Sequence, residues 1–268
     1  MNDVDDGMEK LHRILLEMTS DIHDAFVSDG IPYYVVGGTA IGCVRDNGNM
    51  VPWDDDVDIV FDAEHSDKVA ESLRRHLSGK YIVELPDSRE NHKGYFRVVK
   101  PDTCLIRSTY DRNDKGISIE LFPMIGVPDG GFRRRVLFLM SRLHILLNMA
   151  GDYVPSPMVP VCVGFRKCVR MVIDRVCSGD DCSCVSPLNG CFFDEIVPRK
   201  MFCEPTPHEI MGVDLMFPQD LEGYLGAVYG DYMSLPPEEK RVPALLVLDT
   251  ENGWRGHIDE ARAIQKRR

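Results

Sequence analysis

Trp53-Asp54-Asp55-Asp56-Val57-Asp58-Ile59-Val60-Phe61 is the stretch on which the fold turns. Its second half is β-branched and aromatic, as a strand should be. Side chains alternate along a strand, so Asp54, Asp56 and Asp58 are expected on one face and Val57, Ile59 and Phe61 on the other. The apolar face must meet a core, which leaves like-charged carboxylates crowded together. A cation or a bound proton relieves that repulsion. Mg²⁺ or Mn²⁺ suits the position, because a hard divalent ion takes one or two carboxylates together with waters and phosphate oxygens. Three aspartates in isolation read equally well as a solvated acidic turn. Such a turn, however, gives no reason for the apolar run that follows directly. A helix–loop–helix calcium loop beginning at Asp54 is excluded, since Ile59 falls where glycine is required and His65 where a bidentate Glu belongs.

Upstream, Ile31 to Val36 reads as a buried strand that ends at Gly37-Gly38, and Thr39 is expected to cap a short helix through Arg45. Paired glycines let a backbone approach a phosphate, with helix N-terminal amides behind it. They also serve any sharp strand-to-helix turn. Arg45 either neutralises a phosphate or pairs with an aspartate. Earlier still, Met8, Leu11, Leu15, Met18, Ile22 and Phe26 repeat at helical spacing and predict an amphipathic helix that stops near Gly30. Asp46-Asn47-Gly48-Asn49 is a turn.

Downstream, a helix is expected from about Ala63 to Leu77. Strands are expected at Tyr81–Leu85, Tyr95–Val99 and Ile117–Phe122, with a further one at Cys104–Tyr110. In Gly116-Ile117-Ser118-Ile119-Glu120-Leu121-Phe122, Glu120 projects opposite to Ile117, Ile119 and Leu121. It supplies a third carboxylate if this strand lies beside the first; otherwise it pairs with an Arg or sits on a sheet edge. Beyond Gly131 come helices at Phe132–Ala150, Val161–Val176 and Leu221–Tyr229, with Ser178 to Asn189 as a Cys-, Ser- and Asp-containing loop. The fold class is therefore α/β (α+β), a mixed sheet with flanking helices. Residues 1–130 form the core, and a mostly helical C-terminal half, 131–268, completes the same domain.

The 268 residues hold 31 Lys and Arg against 43 Asp and Glu, a net charge of −12 that suits no broad nucleic-acid face. No apolar run approaches the roughly 20 residues of a membrane span, and the acidic N-terminus does not resemble a signal peptide. A cytoplasmic protein, or one peripheral to a membrane, is expected. Nine cysteines suit reduced thiols. Cys177, Cys182, Cys184 and Cys191 offer four soft ligands for a structural zinc, but their spacing departs from the usual pairs and favours plain thiols. Cys43 reads as a packing residue. Tyr224, Tyr229 and Tyr232 read as packing side chains rather than a stacking surface. The helix Phe132–Ala150, which opens with Arg133-Arg134-Arg135, reads as a core helix with a solvated basic end in preference to a membrane contact.

Taken together, Gly37-Gly38-Thr39-Ala40-Ile41-Gly42-Cys43-Val44-Arg45, then Gly48, then Val51-Pro52-Trp53-Asp54-Asp55-Asp56-Val57-Asp58-Ile59 resemble the signature of the LicD family, which also includes fukutin and fukutin-related protein and has a nucleotidyltransferase-like fold. Ile117 to Pro123 resembles the family's third-carboxylate strand, with Glu120 where aspartate is usual. Arg97-Val98-Val99-Lys100 resembles its preceding basic strand. The segments from Phe217-Pro218 through Tyr229-Gly230-Asp231-Tyr232-Met233 to Arg241 resemble its closing motif. The resemblance spans about residues 31–241 and implies transfer of a phospho-alcohol from a CDP-linked donor (CDP-choline, CDP-ribitol or CDP-glycerol) to a hydroxyl of a glycan, glycolipid or glycoprotein, releasing CMP. It implies Asp56 and Asp58 as metal ligands, Asp54 as a further ligand or support, and Glu120 as base or second-metal ligand. Gly37, Gly38 and Thr39 would cradle the phosphates, with Arg45 and Arg97 countering their charge. The competing readings are a nucleotidyltransferase that releases pyrophosphate from a nucleoside triphosphate, and a non-catalytic CDP-alcohol-binding protein.

Overall fold

The computed structural model describes residues 2–113, 115–178, 181–189 and 192–267. The helical repeat at the N-terminus builds α1 (Asn2–Asp29), and Leu11, Leu15, Met18, Ile22 and Phe26 are all fully buried along it. Gly30, at φ +60°, ends the helix in a backbone conformation that glycine adopts without a Cβ penalty. The next elements are β1 (Tyr34–Val36), α2 (Gly37–Arg45), β2 (Asp58–Asp62), α3 (Ser66–Leu77), β3 (Ile82–Glu84), β4 (Phe96–Val99), β5 (Cys104–Ile106) and β6 (Ser118–Val127). The second half holds α4 (Gly131–Tyr153), α5 (Val159–Cys177), β7 (Cys184–Pro187), β8 (Val197–Pro198), β9 (Thr206–Ile210), β10 (Val213–Phe217), α6 (Leu221–Tyr229), β11 (Val247–Asp249) and α7 (Ile258–Gln265).

One mixed sheet organises these elements in the order β1-β2-β6-β4-β3, with β7 joining the far half of β6 and β8 pairing β7. Strands β2 and β6 are parallel, whereas β1 on β2, and β4 and β7 on β6, are antiparallel. The main core lies where α1 and α3 cover the sheet, with Phe26, Ile59, Phe61, Leu73, Ile119 and Leu121 buried together. A second apolar cluster, built around Leu137, Val169, Ile173 and Phe192, seats the α4–α5 hairpin.

Two expectations need correction. Helices are spread through both halves of the chain and do not set the C-terminal half apart: β7 to β11 also lie in it, and β7 and β8 are part of the main sheet. Strand β7 is Cys184-Val185-Ser186-Pro187, too short and too mixed for a period-two signal, and it forms because β6 runs on past Phe122 to Val127 and presents it an open edge. The run Cys104–Tyr110 yields only the short β5, which pairs with β11 instead of entering the main sheet.

Candidate active site

The acidic stretch is only partly a strand. Pro52 and Trp53 lie in a turn closed by Asp54 N–H donating to the Val51 carbonyl at 2.9 Å, and β2 starts at Asp58. Alternation therefore governs Asp58 onward, while Asp54 and Asp56 arrive from an irregular segment. Thr39 is no cap either. Helix α2 begins at Gly37 after Val36, without a side-chain cap, and Thr39 lies within its first turn.

The sheet aligns the charged residues in one row. Asp58 is paired with Glu120 across the parallel β2–β6 ladder, Glu120 with Arg97 across β6–β4, and Arg97 with Glu84 across β4–β3. Directly paired residues face the same side, so the two carboxylates stand next to each other with a guanidinium beyond them. Arg97 is held by Glu84 at 2.7 Å and Ser118 at 3.2 Å, with Glu120 at 3.7 Å. The Tyr95 hydroxyl lies 3.5 Å from Glu120.

The glycine turn closes over this row. Gly37 has φ +69°, and a methyl group there would touch the Asp58 carboxylate at 3.4 Å; one on Gly38 would lie 2.6 Å from Asp54 Cγ. Asp54 Oδ2, Asp55 Oδ2 and Thr39 Oγ1 are buried without a hydrogen-bond partner among the described residues. The Tyr224 hydroxyl, from the closing motif, hydrogen-bonds the Gly37 backbone and steadies the turn, and its ring is buried against Phe202. Arg45 turns elsewhere, to Asp46 at 2.8 Å and the Trp53 ring at 5.6 Å.

Burial is the main force on the acids. It pushes Asp54 up to about 8, with Asp56 and Asp55 adding to the shift and Arg107 opposing it. Asp58 is raised well above the carboxylate range by burial, then by Asp56, Glu120 and Asp54. Burial also raises Asp56 and Glu120, against the pull of nearby arginines. Carboxyls crowded together in this way resist ionising unless a positive charge comes among them.

Arg107 went unnoticed in the sequence. It bonds the Asp55 carboxylate at 3.1 and 3.2 Å and the Asp55 carbonyl at 2.7 Å, and it lies 3.2 Å from Asp56. Burial opposes its charge, but Asp56, Asp55 and Glu120 more than offset that cost. Arg107→Met strands the buried Asp55 without its donors. A loss of about 2–3 kcal/mol is expected in denaturant unfolding.

Behind the turn, burial raises Glu195 to about 7, and Asn189 Nδ2 lies 3.5 Å away. Unfolded, the group ionises near 4.5. Between these values the folded state holds the extra proton, so the group favours folding most at low pH and loses that contribution as pH rises through 7. Glu195→Gln should flatten the melting temperature against pH and stabilise the protein above pH 7 by on the order of 1–2 kcal/mol, allowing for partial solvent access. A calorimetric pH series measures both.

Among the described residues, the group of three or more His, Cys, Asp or Glu whose ligand atoms all lie within 4.8 Å of one another is His92, Asp111 and Asp152, which could hold a metal ion. The anticipated set, Asp54, Asp56, Asp58 and Glu120, is more widely spread, with Arg107 engaging Asp56. His92 contacts Asp152 at 2.9 Å, and Lys93 contacts the same carboxylate at 2.5 Å. Asp111 and Asp152 both act electrostatically on Tyr95, which links this group to Glu120. A neighbouring cleft of about 570 Å³ is lined by Arg89, His92, Arg112 and Lys167 among others. Of the anticipated zinc ligands, Cys191 lies outside the described residues. Cys177, Cys182 and Cys184 form no disulfide and no such ligand group there, and burial raises the Cys177 thiol to about 12.

Residues 30–139 match the family described as LicD/FKTN/FKRP, nucleotidyltransferase domain. The chain is also 22% identical over 239 residues to the lipopolysaccharide cholinephosphotransferase LicD of Haemophilus influenzae, an alignment covering 80% of this chain and 86% of that protein.

Proposed function

We propose that this chain, whose residues 30–139 match the LicD/FKTN/FKRP nucleotidyltransferase domain and which resembles a cholinephosphotransferase, is a transferase that moves a phospho-alcohol from a CDP-linked donor to a hydroxyl of a glycan or glycoconjugate, releasing CMP. The observation that carries the reading is the pairing of Asp58 with Glu120 across adjacent parallel strands, under a Gly-Gly turn whose neighbouring Asp54 oxygen has no partner. Half-buried acids with raised pKa values and an orphaned carboxylate oxygen fit a divalent ion. Asp56 and Asp58 would hold it, with Asp54 in support. When bound, Mg²⁺ or Mn²⁺ supplies positive charge to the phosphate oxygens.

The chain's own groups do the rest. Gly37, Gly38 and Thr39 offer backbone and hydroxyl to the donor diphosphate at the start of α2. Glu120 takes the proton from the acceptor hydroxyl as its oxygen bonds to the phosphorus of the phospho-alcohol, and the diphosphate bridge breaks to leave CMP. Arg97, held by Glu84 and Ser118, opposes the upward pull of burial on Glu120 and so favours its ionised form. Lipopolysaccharide and choline belong to the name of the Haemophilus protein; a CDP-alcohol donor and a glycoconjugate acceptor are the matching substrate classes here.

The test is a panel of CDP-choline, CDP-ribitol, CDP-glycerol and nucleoside triphosphates with Mg²⁺ and product identification. CMP released from one CDP-alcohol is expected. Pyrophosphate released from a triphosphate would overturn the reading in favour of nucleotidyl transfer, and CDP-alcohol binding without CMP would overturn it in favour of a binding protein.

A further inference from the structure

We propose that the α4–α5 hairpin docks the protein on an anionic lipid bilayer. Along α4, Phe132, Leu139, Leu146, Met149 and Tyr153 are exposed on one stripe, opposite the buried Leu137, Ser141 and His144. Along α5, Val161, Phe165, Met171 and Val172 are exposed beside the buried strip of Arg166, Val169 and Ile173. The exposures are large: 80% for Phe132, 63% for Phe165 and 71% for Met171. Single exposed apolar residues are ordinary, but continuous stripes on two adjacent helices mark an interaction surface. The sequence favoured a core helix here, and only one face of α4 meets that description.

Charge identifies the occupant. Residues 131–177 contain eight Arg and Lys against two Asp, a net +6 in a chain of −12, so the remainder carries −18. Arg135, Arg142, Lys167 and Arg175 are exposed on the hairpin. Its two acids are already engaged, Asp174 by Arg170 and Asp152 by His92 and Lys93. Apolar stripes mixed with Arg and Lys are the composition of helices that lie in a lipid interface. Arg133 and Arg166 are paired with Asp181 and Asp87, but a second copy docked face to face about a two-fold axis would still set the exposed Arg135, Arg142, Lys167 and Arg175 against the same four charges, whereas an acidic leaflet attracts this face and repels the rest of the molecule. No helix among the described residues is long and apolar enough to cross a membrane, so the hairpin would lie on the surface. Val163, Gly164 and Lys167 of α5 also line the 570 Å³ cleft beside His92, and docking brings the mouth of that cleft to the headgroups.

The proposal is independent of the reaction and is tested by binding alone. The full chain is co-sedimented with phosphatidylcholine vesicles with and without phosphatidylserine, over a range of salt. Binding should strengthen roughly tenfold or more with phosphatidylserine and weaken as salt rises. Leu139→Glu/Phe165→Glu and, separately, Arg135→Glu/Arg175→Glu should each abolish that gain at unchanged melting temperature. Absence of vesicle binding by the native chain would overturn the proposal. So would a native dimer in sedimentation equilibrium that Leu139→Glu/Phe165→Glu converts to monomer, since the face would then belong to a second copy.

Discussion

The Asp58→Asn protein releases CMP from its CDP-alcohol on the order of a thousandfold more slowly than the native chain, and it melts at a higher temperature. Asp58 stands at the head of β2, in register with Glu120 and against Gly37. Asparagine preserves the shape and removes the charge that a divalent ion needs, a loss on the order of 4 kcal/mol in the barrier if one ligand is decisive. Stability moves the other way. Burial and the nearby Asp56, Glu120 and Asp54 make this carboxyl costly to ionise, so neutralising it relieves strain worth about 1–2 kcal/mol. Rate and calorimetry on the same sample separate the two effects. Slow turnover with lowered stability would instead mark a folding defect.

Gly38→Ala lowers the same rate about a hundredfold, because misplacing one reacting group by an ångström costs about that much. The added methyl would lie 2.6 Å from Asp54 Cγ and 2.9 Å from Oδ1. Aspartate is too short to swing clear without leaving its place beside the glycine turn, and the backbone behind it is fixed by the 2.9 Å bond to Val51 and by His12 on the Asp54 carbonyl at 2.8 Å. Part of the strain also appears as about 1–3 kcal/mol of lost stability in denaturant titration. Full activity in Gly38→Ala would mean that Asp54 can leave its place without consequence for the reaction.

What could be read from the sequence was whatever the chain keeps close together. The glycine turn and the acidic segment lie within about twenty residues of each other, and Glu120 sits in an alternating strand whose apolar partners fix its face. The conditional expectation that its strand lies beside Asp58 holds, residue on residue. The remainder depends on contacts between distant segments. Arg107 reaches Asp55 across 52 residues from just beyond β5, a strand outside the main sheet. His92, Asp111 and Asp152 come from separate stretches, with Asp152 sixty residues beyond His92. No periodicity records such meetings. Trp53 to Val57 misled because alternation was extended backward through a Pro52 turn. The α4 and α5 stripes misled in a different way, since an apolar face looks the same in sequence whether it meets a core or is left bare.

Manganese binding in the presence of CDP, followed calorimetrically, tests the central claim most directly. It is best measured in an Asp152→Asn background, so that an ion held by His92, Asp111 and Asp152 does not contribute. The account predicts that this protein binds Mn²⁺ and CDP together, and that adding Asp58→Asn weakens the ion at least roughly tenfold. Undiminished binding after Asp58→Asn would contradict it, because the ion would then sit somewhere other than among the carboxylates at the head of β2.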